Sequence, residues 1–238
     1  MDLSRRFGGT SRLYGHDYAQ RLNQSHFCII GIGGVGSWAV ESLVRHGVGE
    51  LTLIDMDHIA ESNMNRQIHA VNETLGASKI VVMKSRALSI NPNVKVNCID
   101  DFLSIDNLSS LILPSYDFVI DAIDQVQVKI ALIEFCLNNK IRFVTTGGAG
   151  GRVDPQKVMI ADLKNTHGDK LIAKVRQHFN KKKAKKKIPV VFSPEVLKKP
   201  EACDSSQLHG LGCEGYGSSM NVTATFGFFA AAYAMNHL

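Results

Sequence analysis

The sequence predicts an α/β protein: a doubly wound, mostly parallel sheet with helices on both of its faces and an additional C-terminal α+β extension. Three observations predict it. Short, continuously apolar runs alternate with stretches of helical periodicity, the pattern of strands buried on both faces. The first run opens directly into a glycine-rich turn, and the next one ends on an acid, Asp55, 19 residues after Gly36. The chain of 238 residues is 45% hydrophobic and 21% charged, enough to bury one large core, so disorder is excluded.

The elements follow in order. Residues 27–30 form the first expected strand, Gly31-Ile-Gly33-Gly34-Val-Gly36 the turn, and Trp38, Ala39, Leu43 and Val44 mark a helix by their spacing. Residues 51–54 are the second strand. Three more strands are expected at 94–99, 118–120 and 141–145, separated by helices at 78–89, 105–113 and 126–139. This part, residues 1–150, reads as a Rossmann-like nucleotide-binding core. The cluster Gly147-Gly148-Ala149-Gly150-Gly151 then breaks the pattern. A strand at 158–161, a helix at 169–179, a strand at 188–192, an irregular stretch at 193–219 and a last helix at 220–237 make up the extension, residues 151–238. There is no internal repeat, and 1–238 reads as one domain.

Composition narrows the setting. The five cysteines, Cys28, Cys98, Cys136, Cys203 and Cys213, are odd in number and include no C-x-x-C pair, which argues against both a disulfide framework and a four-thiolate zinc site. A cytoplasmic, reducing location fits. Residues 1–12 contain no apolar run, so no secretory signal is expected. The uncharged stretch 222–235 is shorter than the roughly 20 residues of a spanning helix and reads as a core helix, with peripheral membrane contact left open. Charge is uneven: residues 164–199 hold 12 Lys/Arg against 2 acids, a balance of +10, whereas the whole chain is +5 and the remainder therefore −5. Such a field suits a polyanionic partner, nucleic acid first and acidic lipid second.

The glycine turn needs residues without side chains so that the chain can reverse, phosphate can approach backbone N–H groups, and helix can pack on strand. The helix N-terminus adds partial positive charge. Asp55 is the expected acceptor for ribose hydroxyls. Arg66, in Asn63-Met-Asn-Arg66-Gln67, and Lys79 bring two cations to segments just past the second strand, which suits a triphosphate better than a diphosphate bridge and favours ATP. The plain alternative for each is a solvated helix face. Asp124, in Asp121-Ala-Ile-Asp124, follows a strand at the edge where such sheets bind ligands, and is either a Mg²⁺ ligand or a helix N-cap.

Together these residues resemble the adenylating fold of the ubiquitin-activating-enzyme family, with its order G-x-G-G-x-G, D-x-D (Asp55, Asp57), N-x-x-R-Q, K, and an acid after a later strand. The opening Arg6-Phe-Gly-Gly-Thr-Ser-Arg12-Leu-Tyr-Gly15, the segments 121–124 and 145–151, and the ending Val222-Thr-Ala-Thr-Phe-Gly227 extend the resemblance, over nearly the whole chain, to the branch that dehydrates threonylcarbamoyladenosine in tRNA. The resemblance implies ATP and Mg²⁺ as cofactors and tRNA carrying threonylcarbamoyladenosine as partner, with a cysteine desulfurase or sulfur-acceptor system as a further partner. It gives Gly31, Gly33, Gly34 and Gly36 the phosphate turn, Asp55 the ribose, Asn63, Arg66, Gln67 and Lys79 the triphosphate, and Asp124 the metal. It also implies a homodimer in which an N-terminal arginine, Arg12 or alternatively Arg6, completes the partner's site.

Six lysines, Lys181, Lys182, Lys183, Lys185, Lys186 and Lys187, offer tRNA phosphate contacts, or else form a solvated loop. Phe179, Phe192 and Tyr216 are the aromatics available for stacking on bases. Cys203 and Cys213 receive no role. Three other readings stand behind the first: an adenylyltransferase for a small sulfur-carrier protein, a nucleotide-binding module without turnover, and, more distantly, a nicotinamide dehydrogenase.

Overall fold

The computed structural model describes residues 3–182, 186–198 and 216–238. Two N-terminal helices, α1 (Leu3–Tyr14) and α2 (His16–Gln24), precede β1 (His26–Ile30), α3 (Gly36–His46), β2 (Glu50–Ile54), α4 (Lys79–Ile90), β3 (Lys95–Ile99), α5 (Leu108–Leu111), β4 (Phe118–Asp121), α6 (Val126–Asn139) and β5 (Phe143–Thr146). The C-terminal part adds β6 (Met159–Asp162), α7 (Lys170–Lys181), β7 (Pro189–Phe192) and α8 (Met220–Asn236). The sheet has seven strands in the order β3-β2-β1-β4-β5-β7-β6, parallel except for the β6–β7 pair.

Both faces are buried, and single strands show why their sequences are apolar throughout. Phe27 and Ile29 of β1 point into the core shared with α3, α4 and α8, whereas Cys28 and Ile30 point into the core shared with α6 and α7. The order reverses at β1, flanked by β2 and β4, so a crevice opens beyond the carboxyl ends of β1 and β4. The C-terminal extension completes this sheet: β7 pairs in parallel with β5, and α8 packs on α3. A Cβ on Gly227 would lie 2.5 Å from the carbonyl of Val35, so the absent side chain lets α8 close against the start of α3.

Several expectations are corrected. The helix expected over 105–113 is only α5, because the Asn107 side chain accepts from the Ser104 N–H and donates to the Phe102 carbonyl, competing with helical bonding. The segment before residue 15, to which the sequence reading assigns no element, is α1, whose Phe7 covers Gly47 at the end of α3. Stretch 222–235 lies within α8, with Val222, Phe226 and Ala230 fully buried. Among the described residues no helix is long and apolar enough to cross a membrane.

Candidate functional site

A cavity of about 1000 Å³ occupies the crevice. Its floor is the glycine turn. Gly31 (φ 84°) leaves β1 in the left-handed region, with its N–H on the Ile54 carbonyl, and a Cβ there would lie 2.8 Å from the carbonyl of Ala122. Gly36 starts α3 and does not line the cavity; a Cβ on it would lie 1.9 Å from the Gly31 carbonyl, so it serves helix–strand packing. Gly33 and Gly34 do line it. Asp55 lines the cavity and is 7% exposed, and its two oxygens accept the N–H groups of Ile32 (2.6 Å) and Asp57 (2.8 Å), each with further accepting capacity. Burial pushes its carboxyl up from the usual carboxylate range.

The cationic wall comes from the segment after β2. Trp38 Nε1 donates to the Arg66 carbonyl at 2.9 Å and pins the turn, while the Arg66 side chain lies over Gly34 and donates to the Ser62 carbonyl and Asn65 Oδ1. Asn63 Oδ1 accepts from the Ala60 N–H. Gln67 is 5% exposed and its Oε1 has no partner among the described residues. Lys79 opens α4; its side chain is 7% exposed and its ammonium lies 2.6 Å from Asp57 Oδ2, itself 51% exposed. The solvated-face alternative is thereby excluded for Lys79.

Asp124 lines the opposite side. The N-cap of α6 is Gln125, so the capping alternative falls away. Burial raises the Asp124 carboxyl, and the nearby Asp57 charge adds to this while Lys129 and Lys79 oppose it. Among the described residues no three His, Cys, Asp or Glu side chains gather as a metal cage. Two carboxylates across from a glycine turn nevertheless fit Mg²⁺, which keeps waters and takes one or two carboxylates plus phosphate oxygens. Beneath Asp124, Asp121 Oδ2 accepts from Lys129 Nζ (2.8 Å) and Thr145 Oγ1 (2.6 Å), a sealed network that holds the β4–α6 connection.

The far wall escaped the sequence reading. Arg152, 2% exposed, donates to the Gly148 carbonyl and to Asp169 Oδ2, while its Nε has no partner among the described residues. Burial pulls Arg152 below the ordinary arginine value. Asp169 also caps α7 through Ile172 N and takes the Gly148 N–H, so the glycine cluster at 147–151 is a built wall of the cavity. A lone charge inside an apolar stretch, Lys129 within α6, is the signal that could have found the Asp121–Lys129 pair, whereas nothing comparable in the sequence marks Arg152 and Asp169.

Other expectations meet mixed outcomes. Arg12 lies exposed at the end of α1 and does not line the cavity of its own chain. Arg6 donates to the Ile90 carbonyl at the end of α4 and does not line it either. Phe179 and Phe192 are core residues, 5% and 0% exposed, and are unfit for base stacking; Tyr216 lines the cavity with Lys170 5.5 Å from its ring centroid. Lys181, Lys182, Lys186 and Lys187 are exposed around the end of α7, whereas Lys183, Lys185, Cys203 and Cys213 lie outside the described residues.

Comparison with known proteins agrees with this fold. The model of the ThiF family matches residues 6–236. The chain is 49% identical to the tRNA threonylcarbamoyladenosine dehydratase of Haemophilus influenzae, over 100% of this chain and 94% of that one. The crystal structure of E. coli tRNA N6-threonylcarbamoyladenosine dehydratase in complex with ATP superposes with a TM-score of 0.89 at 44% identity, covering 98% of this chain and 93% of the other. Its complex with AMP gives 0.88 at the same identity and coverage. The molybdopterin-synthase adenylyltransferase of Haemophilus influenzae is more distant, 31% identical over 63% of this chain and 60% of that protein.

Proposed function

The chain belongs to the ThiF family, and from that premise we propose that it catalyses the ATP-dependent dehydration of N6-threonylcarbamoyladenosine in the tRNA anticodon loop. The observation that carries this is the reach of the likeness: the dehydratase match spans 100% of this chain, C-terminal extension included, whereas the match to the molybdopterin-synthase adenylyltransferase spans 63% of it.

A carboxylate is a poor electrophile. Joining it to the α-phosphate of ATP releases pyrophosphate and leaves a mixed anhydride; the neighbouring carbamoyl group of the same substituent then attacks the activated carbon, expelling AMP. One water is lost from the base in total, its oxygen leaving on AMP. Because the nucleophile belongs to the substrate, no protein thiol is needed, and Cys28 and Cys136, buried with thiols raised well above the ordinary value, are excluded as nucleophiles. The work of the protein is positioning and charge neutralisation. The N–H groups of the turn and the N-terminus of α3 take phosphates, Asp55 the ribose, and Asn63, Arg66, Gln67 and Lys79 the triphosphate. Asp124, with Asp57 at hand, would hold Mg²⁺, which supplies charge compensation on the phosphates when bound.

Arg12, exposed and away from its own cavity, suits a homodimer in which it reaches the partner's triphosphate. The exposed lysines at the end of α7 suit tRNA phosphates, and the cytoplasm, where tRNA and ATP meet, suits the absence of a spanning helix among the described residues. Incubation with ATP, Mg²⁺ and threonylcarbamoyladenosine-bearing tRNA should yield AMP and a nucleoside lighter by one water, and tRNA lacking the modification should not. Adenylation of a sulfur-carrier protein without that mass loss would overturn the reading in favour of a carrier activator.

A further inference from the structure

Helix α7 joins two basic regions on opposite edges of the sheet. Its twelve residues include no acid. Ile172, Val175 and Phe179 pack one side of it into the core. At 100° per residue, Lys170, Lys174 and Lys181 fall within about 40° of one another on the other side. At the first end, Lys170 and Lys174 line the nucleotide cavity, and the Lys170 ammonium is held 3.1 Å from the Tyr216 hydroxyl. At the second end, Lys181 leads toward a separate cavity of about 480 Å³ at the amino ends of β4, β5 and β7, lined by Lys140, Arg142, Lys186, Lys187 and His237 around an apolar floor. Lys140 closes α6 in the left-handed region (φ 58°), where glycine or asparagine is customary. The acids near this end include Asp117, 3.9 Å from Arg142, Glu134, engaged by His178 and Lys182, and Asp162, opposite Pro189 and 3.8 Å from Lys164.

We propose that the outer face of α7 is the track of the RNA backbone. Lys170 and Lys174 hold phosphates next to the nucleotide whose substituent enters the cavity, and Lys181, Lys140 and Lys187 hold phosphates farther along the same molecule. The proposal rests on the reading of tRNA as substrate and adds to it a path and a direction. The span from Lys170 to Lys181 is about 17 Å at 1.5 Å per residue, so a free nucleotide or short acid in the cavity cannot engage both ends. A polyanion that also delivers its modified base into the cavity can. The contacts are to phosphate and carry no base specificity.

Two double variants test the track, Lys174→Gln/Lys181→Gln for the helix face and Lys140→Gln/Lys187→Gln for the back edge, with thermal unfolding as the folding control. Affinity for tRNA bearing threonylcarbamoyladenosine is measured across a salt series. Each variant should flatten the slope of log K against log salt by about 1.5, equivalent to a roughly 30-fold weaker affinity at 0.1 M salt, and the reference Lys84→Gln on α4 should not. An unchanged slope in either double variant, with the parent protein still binding and dehydrating the RNA, would overturn the track and leave the substrate reading standing. Failure of the parent protein to dehydrate the RNA would overturn the substrate reading, and the track with it. Binding to phosphatidylserine vesicles that needs these lysines while RNA binding does not would assign the face to a membrane and likewise overturn the proposal.

Discussion

Two lysine–aspartate pairs flank the cavity, and their chemistry is the same while their surroundings are not. Lys129 and Asp121 meet at 2.8 Å with side chains 0% and 1% exposed, and Thr145 occupies the same carboxylate oxygen. Lys79 and Asp57 meet at 2.6 Å, but Asp57 is half open to solvent and both residues line the cavity. The first pair has nothing to exchange with, so it works as a rivet between β4, β5 and α6. In the second, a phosphate oxygen can replace a carboxylate oxygen at the Lys79 ammonium with little change in solvation. Burial, more than residue type, separates structure from function here.

The largest effect should come from opening the sealed pair. Lys129→Met strands a buried Asp121 carboxylate and should cost about 3 to 5 kcal/mol of stability in denaturant unfolding, with part of the loss restored in Lys129→Met/Asp121→Asn. A loss under about 1 kcal/mol would erase the contrast between the pairs.

The second effect comes from His69, beside the open pair. It is 2% exposed, neither ring nitrogen has a partner among the described residues, and burial, with the charges of Lys79 and Arg86 behind it, lowers its pKa from 6.5 to about 4. The folded state thus holds His69 neutral while the unfolded chain takes up a proton first. Its contribution is fully present above pH 6.5 and is lost as the pH falls toward about 4, amounting to about 3 kcal/mol when complete. Unfolding followed over that range should show this loss, and His69→Phe should lack it; an equally steep decline in the variant would refute the assignment.

Smaller still are the changes at the open pair itself. Lys79→Ala and Arg66→Ala should each remove about 1.5 to 3 kcal/mol of transition-state stabilisation, slowing adenylation roughly 10- to 150-fold, while unfolding midpoints change little. Near-normal rates in both would show that neither cation meets the triphosphate. A collapse in the stability of Lys79→Ala would make the open pair a second rivet.

How far the site could be read in advance follows from how local each signal is. The turn at 31–36 was legible because reversing the chain within six residues excludes side chains wherever it is carried out. The strands were legible because apolar runs bounded by turn residues have one use in a double-faced sheet. Asn63, Arg66, Gln67 and Lys79 were legible as an ordered motif, and the cavity gathers all four. Arg152 and Asp169 were not, because their pairing depends on the route of the chain between β5 and α7. Nor were α1 and α2, polar segments whose few apolar contacts, such as Phe7 on Gly47, have value only once α3 is in place. Phe179 and Phe192 looked available for RNA because their burial depends on which side of α7 and β7 meets the sheet.

The sequence by itself determined the succession of strands and main helices from β1 onward, the glycine turn and the residue types gathered beyond β2, since periodicity and backbone sterics act over a few residues. Only the tertiary structure decided that Asp121 is sealed while Asp57 is open, that Arg152 and Asp169 close the far wall, and that the lysines of α7 connect two edges of one sheet. Desolvation and proximity belong to the packed chain, and segments far apart in sequence must meet before either has a magnitude.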